Sequence, residues 1–234
     1  MSEFDKKVSR RHTDSVKWDS IKETYQRDDL LPLWVADIDF LSPAGVKKAF
    51  ENYVSQGLFG YSTVSEKLYH AVINWEKQQH QVSLTKEHIV FTSGVLSSLT
   101  VAIQTFTEPG DSVLIHDPVY PPFSAIVESN HRQLIRSQLI EQNNKFMMDF
   151  QDMEKKIVEQ QVKVVILCNP HNPGGRVWTK EELSQLSELC LKHKVLLFSD
   201  EIHQDLVFST NHFNSMLTID ETLGQSLITF TSAT

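Results

Sequence analysis

The sequence is poor in the residues that mark several large classes of protein. It holds two cysteines in 234 residues, too few for the disulfide framework of a small secreted domain. None of its eight glycines forms Gly-x-Gly-x-x-Gly or a P-loop, which disfavours a nucleotide-binding dehydrogenase. No apolar run is long enough to span a bilayer, and residues 1–7 lack the apolar stretch of a signal peptide. We therefore expect a cytoplasmic protein without a membrane partner.

Positive charge is also scarce. The formal net charge is −8 and no basic run is longer than residues 9–12, so nucleic acid and anionic membranes fit poorly as partners. A small molecule is the better candidate. Hydrophobic residues make up 40% of the chain, an ordinary share for a globular protein. Cys168 and Cys190 both lie in apolar patterns, which favours two core thiols over a disulfide or a metal pair.

Helical and strand patterns alternate along the chain. Continuous apolar strands separated by amphipathic helices predict an α/β fold, a mostly parallel sheet with helices on both faces. Thr179 and Glu182 form a capping box, which makes that helix start the firmest local prediction. The predicted helices are 43–57, one after residue 62 carrying Leu68, Val72 and Trp75, 95–106, 122–129, 150–160 and one from 179; the predicted strands are 88–91, 112–116, 133–139, 163–168, 195–199 and 227–231.

Unusual residues collect at the predicted strand ends, where ligands bind in sheets of this kind. Residues 92–95, Thr-Ser-Gly-Val, open a helix whose free N–H groups and dipole suit a phosphate, with Gly94 allowing close approach. Ordinary helix capping would use the same residues. Tyr120, braced by prolines, could lay its ring against a planar ligand, although such a tyrosine is more often part of a packed turn. Each signal alone leaves both interpretations open.

Two further strand ends carry more specific chemistry. Residues 168–176 contain two Asn-Pro pairs and a Gly pair, which together demand a fixed and unusual backbone path. In this loop the side chain of Asn172 could donate to an anionic oxygen of a ligand ring. Asp200 ends an apolar strand, where a buried carboxylate is costly unless it meets a cation. We interpret Asp200 as the partner of a protonated ring nitrogen.

The motifs at these strand ends, in their order and spacing, resemble those of the fold-type I pyridoxal-phosphate enzymes of the class I and II aminotransferase superfamily. They are Thr-Ser-Gly at 92–94, Asp-Pro-Val-Tyr at 117–120, Asn-Pro-His-Asn-Pro-Gly-Gly at 169–175, Ser-Asp-Glu-Ile-His at 199–203 and Ser-Ala-Thr at 232–234. Residues 32–40, 59–62 and 175–178 are similar to the cystathionine beta-lyase (C-S lyase) branch. The resemblance implies a large cofactor-binding domain over 46–234, incomplete at its C-terminus, after an N-terminal arm and part of a small domain over 1–45.

The resemblance implies a bound pyridoxal 5'-phosphate and assigns residues to its phosphate group. Gly94 and Val95 would offer backbone N–H groups, and Ser232 would add a hydroxyl. Tyr61 would reach the phosphate from a second subunit, which implies a homodimer. A Schiff-base lysine is expected directly after Thr234, outside this chain.

The resemblance also assigns residues to the cofactor ring. Tyr120 would stack on the pyridine, while Asn172 and His203 would hydrogen-bond the ring oxygen. Asp200 would keep the ring nitrogen protonated, so that the ring can act as an electron sink. Tyr61, Tyr120 and Asp200 are the predicted catalytic residues of this chain.

The implied reaction is beta-elimination, in which a cysteine-type amino acid such as cystathionine or cysteine gives a thiol, pyruvate and ammonia. An aminotransferase would use the same pocket and is the alternative. His203, where many aminotransferases carry Tyr, and the Gly-Gly-Arg-Val-Trp run at 174–178 favour the lyase. A non-catalytic binding module is the third interpretation, should the natural chain end at Thr234. One departure is Pro121, because some C-S lyases have a second tyrosine there.

Overall fold

The chain folds as two compact units. The computed structural model describes Lys6 and residues 8–232, and divides the chain into Met1–Thr63 and Val64–Thr234. The sequence placed a division at residue 45, and the assignment of its two segments to a small and a large domain stays a prediction.

A cluster of charged residues organises the first unit. The Lys17 ammonium is largely buried and donates to the Asp39 carboxylate over 2.7 Å and to the Asp37 carbonyl over 2.6 Å. The Trp18 indole donates to the same carboxylate at 2.7 Å, and Arg10 pairs with Asp37 at 2.6 Å. These contacts fasten the extended segment around Asp37 and Asp39 to α1 (Val16–Asp19), which is followed by α2 (Ile21–Tyr25).

The third helix of the first unit, α3 (Ala44–Ser55), confirms the helix predicted at 43–57. Its apolar residues Val46, Phe50 and Tyr53 recur at helical spacing, yet none of its residues is buried. Phe50 keeps 67% of its surface exposed. Since an amphipathic helix gains most of its stability by packing its apolar face, this face is suited to contact with another surface.

The second unit is built on a five-stranded sheet in which all neighbouring strands run parallel. This arrangement confirms the predicted parallel α/β sheet. The strands of the chain are β1 (Ser112–Asp117), β2 (Gln133–Gln138), β3 (Ile140–Gln142), β4 (Lys145–Met147), β5 (Val162–Cys168), β6 (Leu196–Asp200) and β7 (Leu227–Phe230). Across the sheet they lie in the order β2-β1-β5-β6-β7, while β3 and β4 form a separate hairpin.

The helices of the second unit agree closely with the predicted ones. They are α4 (Glu66–His80), α5 (Val95–Phe106), α6 (Pro122–Ser129), α7 (Phe150–Glu159) and α8 (Lys180–His193). Within residues 8–232, no helix combines the length and the apolar character needed to cross a lipid bilayer.

Two apolar cores lie on opposite faces of the sheet. On one face α5 and α6 pack against strand residues that include Ile115 and Ile166. On the other, α7 and α8 pack together with Trp178 against residues that include Leu114 and Leu167. Alternate residues of β1 and β5 therefore enter different cores, as the two-residue period of a strand requires.

Both cysteines are free and buried, which confirms the prediction of two core thiols. Cys168 belongs to the core beside α5, and Cys190 belongs to the core beside α8. Burial raises the pKa of each thiol to about 12, so both stay protonated at neutral pH.

The strand predicted at residues 88–91 is wrong. A 3-10 helix, Lys86–His88, occupies its start, and Ile89 has extended backbone but pairs with no strand of the described chain. Val90 keeps 84% of its surface exposed. Apolar β-branched residues suit a strand locally, but a strand also needs a neighbour whose N–H and C=O groups it can meet. The tertiary structure decides whether such a neighbouring strand is present, and the sequence of residues 88–91 does not reveal it.

The hairpin of β3 and β4 was not predicted. Its turn residues Asn143 and Asn144 have φ of 53° and 57°, the left-handed conformation that Asn tolerates better than most residues. Two consecutive left-handed residues form the turn that matches the twist of a tight hairpin. The Asn143-Asn144 pair is therefore the sequence feature from which this hairpin could have been predicted.

The capping box at the start of α8 is confirmed. The Thr179 hydroxyl accepts the N–H of Glu182 at 3.2 Å, and the Glu182 carboxylate accepts the N–H of Thr179 at 2.8 Å. Two backbone donors that a helix leaves unpaired are thereby satisfied. The box also fixes the end of the long loop that follows β5.

We expect Thr179→Ala to lower the free energy of unfolding by about 1 kcal/mol, because the N–H of Glu182 loses its acceptor. Urea unfolding followed by circular dichroism measures the change. Thr179→Ser keeps the hydroxyl and should lose far less. A Ser variant as unstable as the Ala variant would argue that the threonine methyl, and not the cap, stabilises this position.

Candidate functional site

The strand order reverses at one point of the sheet. From β1 the chain moves outward to β2, then returns to the opposite side of β1 and adds β5, β6 and β7 in turn. Sheets with such a reversal bind ligands in the crevice between the loops that leave the two strands at the reversal. Here these are the β1 loop, residues 118–121 with Tyr120, and the β5 loop, residues 169–178 with Asn172.

The β5 loop is held at its base by hydrogen bonds. The fully buried indole of Trp178 donates to the Cys168 carbonyl over 2.9 Å, which closes the loop on the strand it leaves. Within the loop, the N–H of His171 donates to the Arg176 carbonyl at 2.7 Å and the N–H of Gly175 donates to the His171 carbonyl at 2.8 Å. The two Asn-Pro bonds are cis.

Glycine is required at two adjacent positions of this loop. A β-carbon at Gly174 would lie 2.7 Å from Cδ2 of Phe146 and 2.8 Å from Cδ2 of His171, closer than such atoms approach. Gly175 has φ of +60°, a left-handed conformation that glycine adopts at little cost. The Gly pair therefore fixes the path of the loop, as its density of turn residues predicted.

Arg176 braces the same loop from its other side. The guanidinium donates to the Phe146 carbonyl at 2.8 Å, pairs with Glu182, and lies 4.7 Å from the centroid of the Trp178 ring. The C-terminal part of the β5 loop is thereby attached to the α8 capping box and to β4. The Arg-Val-Trp run thus serves to position the loop.

Asn172 lies at the tip of this rigid loop and is half-buried. Its backbone N–H donates to the Cys168 sulfur at 3.4 Å. Its side-chain amide has no hydrogen-bond partner in the part of the chain that the structure describes. An amide held in this way can donate to a ligand oxygen.

Tyr120 in the β1 loop is also half-buried. Its ring packs edge to face against Phe123, with ring centroids 5.8 Å apart, and its carbonyl accepts the N–H of Phe123 at 3.1 Å. The Pro118 carbonyl of the same loop accepts a hydrogen bond from the His171 ring at 2.9 Å. The aromatic contact and these bonds restrict Tyr120 to one region above the strand ends.

Asp200 ends β6 between two neighbouring strands, opposite Cys168 on β5 and Phe230 on β7. Only 4% of the residue is exposed, and the N–H of Ile202 donates to its carboxylate at 3.1 Å. Among the described residues no cation contacts this carboxylate. Burial raises the pKa of Asp200 to about 6, and the Ile202 N–H offsets only part of that shift. The site therefore suits a cationic group of a ligand.

Glu201, the next residue, is buried but fully paired, and no role was predicted for it. Its carboxylate accepts hydrogen bonds from Ser199 at 2.9 Å, Ser215 at 2.7 Å and the N–H of Met216 at 2.9 Å. Burial nonetheless raises the pKa of Glu201 to about 7. The consecutive acids were visible in the sequence, but only their surroundings tell the structural acid from the unpaired one.

Hydrogen bonds from the buried Gln204 side chain hold the segment after β7. The Gln204 amide donates to Glu76 of α4 at 2.8 Å and to the Thr231 hydroxyl at 3.0 Å. Thr231 directly precedes Ser232, which is half-buried. Gln204 and Glu76 were not singled out in the sequence, because their contact spans 128 positions.

The start of α5 has the features of an anion site. Gly94 has φ of +155° and ψ of 162°, a conformation open essentially to glycine alone, and a β-carbon there would meet open space. No side chain caps the helix, so the first N–H groups, beginning with that of Val95, remain available. The hydroxyl of Ser98 turns away and donates to the Gly94 carbonyl at 2.9 Å.

Most of the predicted site residues share one end of the second unit. Tyr120, Asn172 and Ser232 follow β1, β5 and β7, and Asp200 ends β6; the carboxyl ends of these strands lie side by side. His203 lies in the turn after β6, where burial lowers the pKa of its ring. Gly94 and Val95 begin a helix on one face of the same sheet.

Tyr61 belongs to the first unit and is fully exposed. Its predicted action from a second subunit stays a prediction. Across the described residues, no three side chains of His, Cys, Asp or Glu lie close enough to share a metal ion.

Comparison with known proteins gives independent evidence about the family of this chain. The model of the family "Aminotransferase class I and II" matches residues 28–233. Cystathionine beta-lyase PatB of Bacillus subtilis (strain 168) is 45% identical over 204 residues, which span 87% of this chain and 53% of that protein. The chain thus spans about half the length of the curated relatives it matches.

Two solved structures share the fold over 98% of this chain and 59% of theirs. A PLP-bound putative aminotransferase from Clostridium difficile 630 superposes with a TM-score of 0.93 at 36% identity. Cystalysin from Treponema denticola, which contains a pyridoxal 5'-phosphate cofactor, superposes with a TM-score of 0.92 at 35% identity.

Because the folded-state pKa of Asp200 is raised from 3.8 to about 6, the folded protein holds this proton more tightly than the unfolded chain. Stability from this group is therefore present at pH 4 and lost as pH rises to 6. We expect ligand-free Asp200→Asn to match the wild type near pH 4 and to exceed its free energy of unfolding by about 2–3 kcal/mol at pH 7. Urea unfolding across this range measures the difference.

Asp220→Asn is a control of opposite sign. Hydrogen bonds from Thr222 and Ser187 lower the pKa of Asp220, so its contribution to stability is lost as pH falls. The free energy of unfolding of Asp220→Asn should therefore fall furthest below that of the wild type at neutral pH. An Asp200→Asn variant that also loses stability at neutral pH would show that its carboxylate is satisfied without a ligand.

Proposed function

The chain belongs to the class I and II aminotransferase family, and on that premise we propose that the protein is a pyridoxal-phosphate-dependent carbon-sulfur lyase. Its substrate would be a cysteine-type amino acid such as cystathionine or cysteine. Elimination with hydrolysis converts cystathionine and water into homocysteine, pyruvate and ammonia. The 45% identity to a cystathionine beta-lyase supports the lyase over other reactions of the family.

The single observation that carries the proposal is the buried carboxylate of Asp200, which lacks a cation within the described chain. A group of this kind destabilises a protein unless a ligand supplies positive charge. The protonated ring nitrogen of pyridoxal phosphate is such a charge. The raised pKa of Asp200, about 6, leaves the carboxylate ionised at neutral pH and able to pair with it.

The remaining residues fit the other groups of the cofactor. The uncapped start of α5 at Gly94 and Val95 suits the phosphate, and Ser232 after β7 would add a hydroxyl. The half-buried ring of Tyr120 would stack on the pyridine ring. Asn172 would donate to the ring oxygen through its free amide, with His203 as a second donor.

When bound, pyridoxal phosphate supplies an electron sink for negative charge that develops at the alpha carbon of an amino acid. Asp200 supports this chemistry by holding a proton on the ring nitrogen. The lysine expected after Thr234 would act as the base at the alpha carbon. The braced β1 and β5 loops hold Tyr120 and Asn172 fixed, which lowers the cost of organising the site for reaction.

The proposal includes a cytoplasmic homodimer in which Tyr61 completes the site of the other subunit. The exposed apolar face of α3, with Phe50 at 67% exposure, gives the first unit a surface suited to such contact. Tyr61 itself is fully exposed within the single chain and has no partner among the residues described.

We expect the full-length protein, loaded with pyridoxal phosphate, to form pyruvate from cystathionine without any added keto acid. Asp200→Asn should lower turnover at least about hundredfold and weaken cofactor retention, because it removes the buried partner of the ring cation. Asp220→Asn, which alters a half-buried carboxylate before β7, should leave both unchanged. Lactate dehydrogenase coupling measures pyruvate, and absorbance measures bound cofactor.

The outcomes separate the candidate functions. Amino-group transfer that depends on an added keto acid, with no pyruvate from cystathionine, would identify an aminotransferase. A protein that binds no pyridoxal phosphate would contradict both enzymes. Normal turnover and absorbance in Asp200→Asn would remove the role given to this carboxylate.

For the dimer we expect rescue between two defective subunits. A Tyr61→Phe subunit paired with an Asp200→Asn subunit forms one site with both native residues and one site with neither. Heterodimers purified through two different affinity tags should therefore recover about half of the wild-type activity per dimer, well above either parent. Heterodimers no more active than the parents would show that Tyr61 acts within its own subunit or not at all.

A further inference from the structure

One buried side chain connects the two loops of the candidate site. His171 is 2% exposed, and its Nε2 lies 2.9 Å from the carbonyl oxygen of Pro118. His171 directly precedes Asn172 in the β5 loop, and Pro118 lies two residues before Tyr120 in the β1 loop. Within the described residues this is the one side-chain hydrogen bond between the two loops.

The partner of this bond fixes the protonation of the ring. A carbonyl oxygen can only accept, so Nε2 of His171 carries the proton and donates it. Nδ1 is then an unprotonated acceptor, and it is buried without a partner in the described chain. The bond to Pro118 is therefore lost in the other neutral tautomer.

The ring is also confined by packing. It lies edge to face with Trp178, with centroids 5.4 Å apart, and its Cδ2 would be 2.8 Å from a β-carbon at Gly174. Gly174 thus makes the room in which the imidazole sits. A ring confined on these sides holds Nε2 toward the Pro118 carbonyl.

The surroundings keep the imidazole neutral. Burial is the largest influence and lowers the pKa of His171, as does the nearby Arg176 cation, while the carbonyls of Pro118 and Cys168 oppose the shift. His116, a second fully buried imidazole, also packs on Trp178 at a centroid distance of 6.2 Å. Burial lowers the pKa of His116 to about 3, so this imidazole is also neutral at pH 7.

We propose that His171 is a positioning residue that sets the β1 loop, with Tyr120, against the β5 loop, with Asn172. The hydrogen bond from Nε2 joins the two loops of the crevice at the reversal of strand order, next in the chain to Asn172 and two residues from Tyr120. The identity of that ligand rests on the proposed function, whereas the link between the loops does not.

The test uses the full-length protein with and without pyridoxal phosphate. His171→Phe keeps a planar ring and removes the donor, while His171→Gln places an amide donor where Nε2 stood. His116→Phe is the matched control, because it replaces a buried imidazole on the same tryptophan that has no hydrogen bond to either loop.

In His171→Phe we expect hydrogen exchange of the Val119, Tyr120 and Phe123 amides in the ligand-free protein to rise about five- to tenfold, the effect of one lost buried hydrogen bond. Pyridoxal phosphate should bind weaker by a similar factor, with a changed absorbance of the bound cofactor. His171→Gln should restore exchange, affinity and absorbance to within about twofold. His116→Phe should leave exchange in this segment unaltered.

The wild-type protein offers a measurement that needs no variant. Nitrogen-15 NMR of histidine-labelled, ligand-free protein should show His171 protonated at Nε2 and bare at Nδ1. The opposite tautomer, or a Phe variant with native exchange and absorbance, would overturn the proposal, as would a Gln variant that behaves like Phe. Because exchange and tautomer are read without cofactor, failure of the proposed function would appear separately, as absent pyridoxal phosphate binding with an intact link.

Discussion

A parallel sheet covered by helices on both faces has room for polar side chains mainly at the ends of its strands. β1, β5 and β6 are mostly apolar and buried on both sides, so hydrogen-bonding and charged groups gather where these strands end. The reversal of strand order beside β1 then separates the β1 loop from the β5 loop. The placement of the site and the stability of the fold thus follow from one requirement, the burial of apolar strands.

Two adjacent acids at the end of β6 share this environment, but one is fully paired within the protein and the other is not. Glu201 is as deeply buried as Asp200, but three donors satisfy it and attach the turn to residues 215–216. Asp200 has a single backbone donor and faces the edge where the other site residues lie. Stability alone would favour a neutral side chain at Asp200. The proposed cationic ligand would account for an unpaired carboxylate there, and family membership supports that proposal.

The residues proposed to contact the ligand are held in place by other residues that would not contact it. Trp178 closes the β5 loop on its own strand, Arg176 and Glu182 attach it to α8, and His171 connects it with the β1 loop. Gly174 leaves the space into which Phe146 and His171 fit. The run that set this chain apart as similar to C-S lyases therefore has a mechanical role in the structure, the bracing of one wall of the crevice.

Local pattern determined α3 to α8 and the five strands of the parallel sheet, because apolar periodicity and capping residues such as Thr179 and Glu182 act over a few positions. It did not predict α1, α2 or the hairpin of β3 and β4. It also located the strand-end motifs with Tyr120, Asn172 and Asp200 and suggested ligand contacts for these residues, while the family resemblance identified the cofactor that they would contact. Tertiary structure decided the rest. Residues 88–91 lack a pairing strand in the described chain, and Glu201, Gln204 and His171 gain their roles from partners up to 128 positions away. Strand pairing, burial and protonation depend on such distant neighbours, which a local sequence pattern does not contain.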